Sequence, residues 1–243
     1  MWRVADNQAQ LELPQMMAAL HLDRPQMGVA VSQVTASDLR GTHMMQILAA
    51  DDSELALQRT DTYLRGTDLI ACYENTAHQV RLQVYWRALP ATEHAIGGVE
   101  LVVSVNTECW VREPRLQVGS QVRANEVRLV TDHETPSRHL AVADTWTETS
   151  GNLGGALLYR SPEQPTFLEM IDPGEYTRLT LAPATTPDGD KVSSRFRVFE
   201  DRLEKGVIRR VRLRGLFLPR QSDTTAALAC YRAFRESELP LTV

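Results

Sequence analysis

The 243-residue chain carries 43% hydrophobic and 23% charged residues, a soluble globular balance that excludes long disorder and any fibrous class. Its formal net charge of −5 argues against a nucleic-acid partner, because phosphate binding needs a basic surface. Cys72, Cys109 and Cys230 are odd in number, far apart and without CxxC or Cys/His spacing, which argues against a disulfide framework or a structural zinc site and fits a reducing compartment.

The N-terminus, MWRVADNQAQLELPQ, lacks the basic start, apolar run and small-residue cleavage site of a signal peptide. No apolar segment reaches the roughly 20 residues that cross a bilayer, so the expectation is a soluble cytoplasmic protein with no membrane partner. Residues 1–24 mix polar positions with Leu11, Leu13, Met16, Met17 and Leu20, and read as a strap over a sheet edge. From Gly28 a meander begins, with strands near Val29, His43 to Ala49 and Leu55 to Arg59.

The cleanest alternation follows. Val80, Leu82, Val84, Trp86 and Ala88 share one face of a strand, and Gln79, Arg81, Gln83, Tyr85 and Arg87 share the other. Val99, Leu101, Val103 and Val105 continue at period two, which predicts a hairpin with that strand. Gly119-Ser120 suits a II′ turn, and the loss of parity between Ala124 and Val127 suggests a bulge. Strands are expected at Ala156 to Arg160, Thr166 to Ile171 and Tyr176 to Leu181, the last two joined by a type II turn at Asp172-Pro173-Gly174-Glu175.

The longest β pattern, Ser193 to Arg220, reads as one hairpin turning at Glu204-Lys205-Gly206. That register sets Leu203 opposite Val207 and Phe199 opposite Val211, with Glu200 facing Arg210 and Asp201 facing Arg209. Beyond Pro219 the period shifts to about 3.6, giving a helix over 222–237 with Ala227, Leu228, Tyr231 and Phe234 on one stripe.

About 14 strands and one helix predict an all-β fold: a large antiparallel two-sheet sandwich, supersandwich-like, with a single C-terminal α-helix. The expected organisation is one domain over 1–243.

The polar strand face offers Arg81, Tyr85 and Arg87, an aromatic among guanidiniums that could stack on and hydrogen-bond a sugar. An ordinary solvated face is the competing reading, since alternation by itself produces one. The arginine row Arg210, Arg212 and Arg214 reads as cross-strand charge pairing, and only two of the 26 basic residues, Lys191 and Lys205, are lysine.

His133 and Glu134 belong to the densest titratable loop, with Asp132 and His139, and Trp146 and Glu148 to a glycine-containing loop. Strict metal-ligand spacing is absent, as are GxSxG, P-loop and GxGxxG motifs, so neither a metal nor a cofactor is expected. The candidate ligand residues are therefore Arg81, Tyr85, Arg87, His133, Glu134, Trp146 and Glu148. Two functions follow from the sequence: a carbohydrate-directed sandwich that binds or processes a sugar on a sheet face, or a non-catalytic scaffold acting through self-association. Catalysis would require one of Glu134, Glu148, Glu169 or Asp144 to share a cleft with a histidine.

Overall fold

Alternation at period two produces, among the described residues, two antiparallel sheets of nine strands each. The structure is a computed structural model and describes residues 1–49, 56–75, 79–109, 114–131, 137–140, 146–149, 155–162, 164–186 and 189–238. The chain opens with a meander of β1 (Trp2–Ala5), β2 (Gln8–Leu13), β3 (Met16–His21), β4 (Val29–Val34) and β5 (Ser37–Ala49). A second meander comprises β6 (Gln58–Arg65), β7 (Asp68–Asn75), β8 (Val80–Leu89) and β9 (Gly97–Thr107). After these come β10 (Leu116–Arg123), β11 (Glu126–Val130), β12 (Ser137–Leu140), β13 (Trp146–Thr149) and β14 (Ala156–Arg160). The last elements are β15 (Thr166–Ile171), β16 (Arg178–Thr186), β17 (Gly189–Val198), β18 (Arg209–Leu218) and α1 (Asp223–Glu236). The first sheet runs β1-β2-β3-β4-β5-β10-β17-β16-β13, and the second runs β12-β11-β14-β15-β18-β9-β8-β7-β6.

Inward residues of both sheets form one core. Leu11, Val31, Ile47 and Phe196 from the first sheet join Val84, Trp86, Val103 and Leu213 from the second. Each such side chain removed from water stabilises the fold by roughly 1.5–3 kcal/mol. A second cluster lies outside the sandwich, where Ala227, Cys230, Tyr231 and Phe234 of α1 cover Leu158, Leu168, Met170 and Leu216 of the second sheet. The expected helical stripe is thus borne out, with Leu228 only partly buried and Cys230 added. Ser222 makes no side-chain cap; Asp223 anchors the helix start instead, accepting from Arg160 at 2.5 and 2.8 Å and from Thr166 at 2.8 Å.

Four local expectations are corrected. Residues 1–24 are the edge of the first sheet itself: Ala9 and Leu11 face inward opposite Ala18 and Leu20, and tight turns at Asp6-Asn7 and Pro14-Gln15 join the strands. The supposed hairpin of 193–220 is a crossing, because β17 pairs with β10 and β16 in one sheet while β18 pairs with β15 and β9 in the other. Phe199 leaves β17 in the left-handed region (φ 57°), Leu203 plugs the core at 1% exposure, and Gly206 (φ 80°) does make the expected turn.

Gly119-Ser120 is not a turn but the middle of β10. A Cβ at Gly119 would sit 2.1 Å from the Ser194 carbonyl oxygen, so the glycine permits close strand approach. The turn after Ile171 holds its Glu175 N–H to Asp172 O bond at 2.9 Å, yet Gly174 lacks the positive φ of a type II turn. It too carries the chain from one sheet to the other. Among the described residues, no helix is long and apolar enough to cross a membrane.

Candidate functional site

The outward row of β8 begins with Arg81, whose Nε donates to Glu74 at 3.0 Å and whose Nη1 reaches Glu108 beyond β9. Gln83 follows, its Nε2 3.3 Å from the Tyr63 hydroxyl and its Oε1 accepting from the Tyr85 hydroxyl at 3.0 Å. Tyr85 is only 2% exposed, packed with Ile70 and Val102, and the Arg65 guanidinium stands 5.7 Å from its ring centre. The ring expected to stack on a ligand is therefore packed into the protein. Arg87 donates twice to Asp68, at 2.7 and 3.0 Å, and lies 3.7 Å from Glu100.

Glu100 is the hub that sequence reasoning missed. Only 1% of it is exposed, and its Oε2 accepts from Arg214 Nε and Nη2 at 2.8 and 2.5 Å. The only signal was a single glutamate in the apolar run Val99 to Val105, set outward by alternation. Arg214 and Arg212 both stand over the Phe234 ring, at 5.1 and 4.2 Å. Arg212 donates to the Phe234 carbonyl at 2.9 Å, to Ser237 Oγ at 2.9 Å and to the Glu238 carbonyl at 3.1 Å, satisfying acceptors at the end of α1. The arginine row is structural, as expected, but its ladder partners are Ser104, Val102 and Glu100 of β9 rather than residues of β17. Asp201 and Arg209 still meet, at 3.3 Å. Glu175 accepts the Arg212 backbone N–H at 2.8 Å, and burial pushes its carboxyl up to about 7.

Two clefts open beside Arg81. One, of about 380 Å³, is bounded by Glu74, Gln79, Arg81, Glu108 and Cys109. Its neighbour, of about 280 Å³, shares Glu74 and Arg81 and adds Cys72, Gln83, Asn106 and Ile208. Burial pushes the Cys72 thiol up, while Cys109 donates to Gln79 Oε1 at 2.6 Å. The Asn106 Oδ1 is buried with no hydrogen-bond partner among the described residues, and Ile208, 53% exposed, supplies an apolar rim.

Of the other sequence candidates, His133 and Glu134 lie outside the described residues, as does Asp144. Trp146 and Glu148 fall on β13, the edge strand of the first sheet, whose backbone pairs with Leu181 and Leu179. They are thus on the opposite sheet from Arg81, Tyr85 and Arg87. Glu169 is wholly buried between the sheets, accepting hydroxyl bonds from Ser120 at 2.6 Å, Ser194 at 2.5 Å and Tyr159 at 2.9 Å. Desolvation pushes its carboxyl above the usual range, and its described bonding partners are hydroxyls rather than a histidine. Among the described residues, no cluster of three or more His, Cys, Asp or Glu side chains is placed to hold a metal ion.

No family model matches the sequence, and no curated protein matches it. Solved structures do. The alpha-galactosidase from Lactobacillus brevis superposes with a TM-score of 0.53 at 10% identity, covering 98% of this chain and 44% of that one. The galactosidase domain of the alpha-galactosidase-sucrose kinase AgaSK gives 0.49 at 9% identity, covering 87% and 40%. The GH36 alpha-galactosidase AgaB from Geobacillus stearothermophilus gives 0.47 at 9% identity, covering 87% and 39%. The chain spans less than half the length of each. The first of these likenesses establishes a shared β-sandwich fold.

Proposed function

We propose that the protein is a carbohydrate-binding β-sandwich acting as one domain, and that the sugar occupies the paired clefts around Arg81. The observation that carries this reading is the convergence of planar polar groups on one open site: the Arg81 guanidinium, the Glu74 carboxylate and the Gln83 amide. Sugar hydroxyls both donate and accept, so a mixed set of this kind pairs them directionally, while Ile208 offers an apolar surface to a ring's C–H face. The fold is shared with a domain-sized part of an alpha-galactosidase, a protein that acts on sugars, which agrees with the ligand class without supplying it.

A glycan array of neutral and acidic sugars, followed by titration of the best ligand into the wild type and R81A, tests this. Removing a charged hydrogen-bond donor should weaken binding about tenfold or more. The melting temperature should hold, because Arg81 pairs at an exposed surface. No binding across the array, or unchanged affinity in R81A, would leave the scaffold reading in its place.

A further inference from the structure

The outer face of the first sheet carries a second depression that the reading above does not use. Strand registers align Arg3 with Gln10, Gln10 with Ala19, Ala19 with Ala30, and Ala30 with His43. All five point away from the core, since their chain neighbours Trp2, Leu11, Leu20, Val31 and Met44 are buried in it. The row therefore crosses β1 to β5 at right angles to the strands, with two alanines in its middle. Taller side chains flank it, Gln8 and His21 on one side and Met17 and Ser32 on the other. Two adjoining clefts that share Gln10 follow this path, one of about 560 Å³ at the Asp6 turn and one of about 310 Å³ reaching Arg40 and Gly41.

The chemistry of the trough selects its occupant. Its two arginines are already compensated, Arg3 by Glu12 at 3.3 Å and Arg40 by Asp38 at 2.6 Å, and the Asp6 carboxylate at the turn adds only a hydrogen-bond acceptor, so an anionic ligand is disfavoured and a neutral one fits. The alanine methyls form a flat apolar floor, whereas Gln8, Gln10 and Ser32 offer amide and hydroxyl groups along the walls. An extended peptide is poorly served, because a sheet face, unlike a sheet edge, presents no free backbone groups to pair with it.

We propose that this trough binds a neutral oligosaccharide laid across the strands. Neighbouring strands are about 4.8 Å apart, close to the repeat of an extended pyranose chain, so five strands give a track of about 19 Å for about four or five units. The proposal shares its ligand class with the site at Arg81 but stands on the other sheet, and the two are separable by experiment.

The test is backbone amide NMR of the full chain titrated with malto- and cello-oligosaccharides of one to six units, with an oligogalacturonate ladder as the anionic control. One neutral ladder should shift the amides of Ala19 and Ala30, with affinity rising per added unit and levelling near five units. A30W, an outward substitution by a strand-compatible residue, should abolish those shifts with an otherwise unchanged spectrum, and Q10A should weaken them about tenfold. Absence of shifts at Ala19 and Ala30 with every neutral ladder, affinity independent of length, or a preference for the anionic ladder would overturn it. So would concentration-dependent shifts at these amides without sugar, which would mean that a second copy of the chain covers the face. Shifts at Arg81 and Gln83 alone would support the first site and reject this one; shifts at Ala19 and Ala30 alone would do the reverse.

Discussion

Ser194 Oγ on β17 lies 2.5 Å from Oε2 of Glu169 on β15, a hydrogen bond that crosses the interior from one sheet to the other. Ser120 makes a second crossing bond at 2.6 Å, and Tyr159 closes the cluster from Glu169's own sheet at 2.9 Å. The wholly buried carboxylate thus has three hydroxyl donors around it, an arrangement in which every member depends on the others.

Replacing Glu169 with alanine removes the acceptor that all three hydroxyls share and leaves a cavity; Ser120 and Ser194 keep only the backbone N–H bonds they accept and one long bond from Ser194 to the Ser120 carbonyl. Each buried unsatisfied group costs about 1–3 kcal/mol, so E169A should lose about 3 kcal/mol or more, and E169Q, which keeps an acceptor oxygen, distinctly less. Urea unfolding of both variants measures this. Equal losses in the two would show that packing rather than hydrogen bonding sets the cost.

The crossing between β17 and β18 makes a different prediction from a hairpin. Leu203 is 1% exposed in the core and Val207 is 40% exposed. L203A should therefore cost about 3 kcal/mol. V207A should stay within about 0.5 kcal/mol, as surface substitutions do. Paired positions in a hairpin would instead show coupled losses, and a double-mutant cycle reads that coupling directly.

Glu175 gives a pH dependence with a definite sign. Its carboxyl is raised from 4.5 to about 7 by burial, against the favourable N–H and charge of Arg212. The folded state therefore holds a proton that the unfolded chain has released, and stability falls as pH rises from about 4.5 to 7, then levels. E175Q should flatten this limb and gain, relative to wild type, up to a few kcal/mol at pH 8 over pH 5. Denaturant midpoints across that range check it, and a parallel pair of curves would rule it out.

Much of this architecture was legible in the chain, and the parts that were not share a cause. The Val80 to Ala88 alternation correctly gave a strand with Trp86 buried, and its hairpin with Val99 to Val105 formed because both strands belong to one meander. Ser193 to Arg220 alternates just as clearly, yet its halves lie in facing sheets. Both sheets bury their inner faces in the same core, so period two looks identical whether the next strand lies beside or across. The crossing signals were subtler: the parity loss after Ala124, which reads as a bulge, is instead where the chain leaves β10 for β11 in the other sheet, and Leu203 is isolated in a polar loop.

The site was legible only in part, for a related reason. Alternation set Arg81, Tyr85 and Arg87 outward but could not reveal what stood beside them. Asp68 and Glu100 hold Arg87, Val102 and Ile70 pack on Tyr85, and Arg81 borders the two clefts described above. The alanines of the trough were invisible because small outward residues carry no chemical signature until neighbouring strands align them.

A crystal structure of the protein with its best array ligand tests the central claim most directly. A sugar is expected in the clefts beside Arg81, with hydroxyls bonded to its guanidinium and to the Glu74 carboxylate, and the sandwich otherwise unchanged. A glycan bound with high occupancy elsewhere, with the Arg81 clefts empty at saturating ligand, would contradict it.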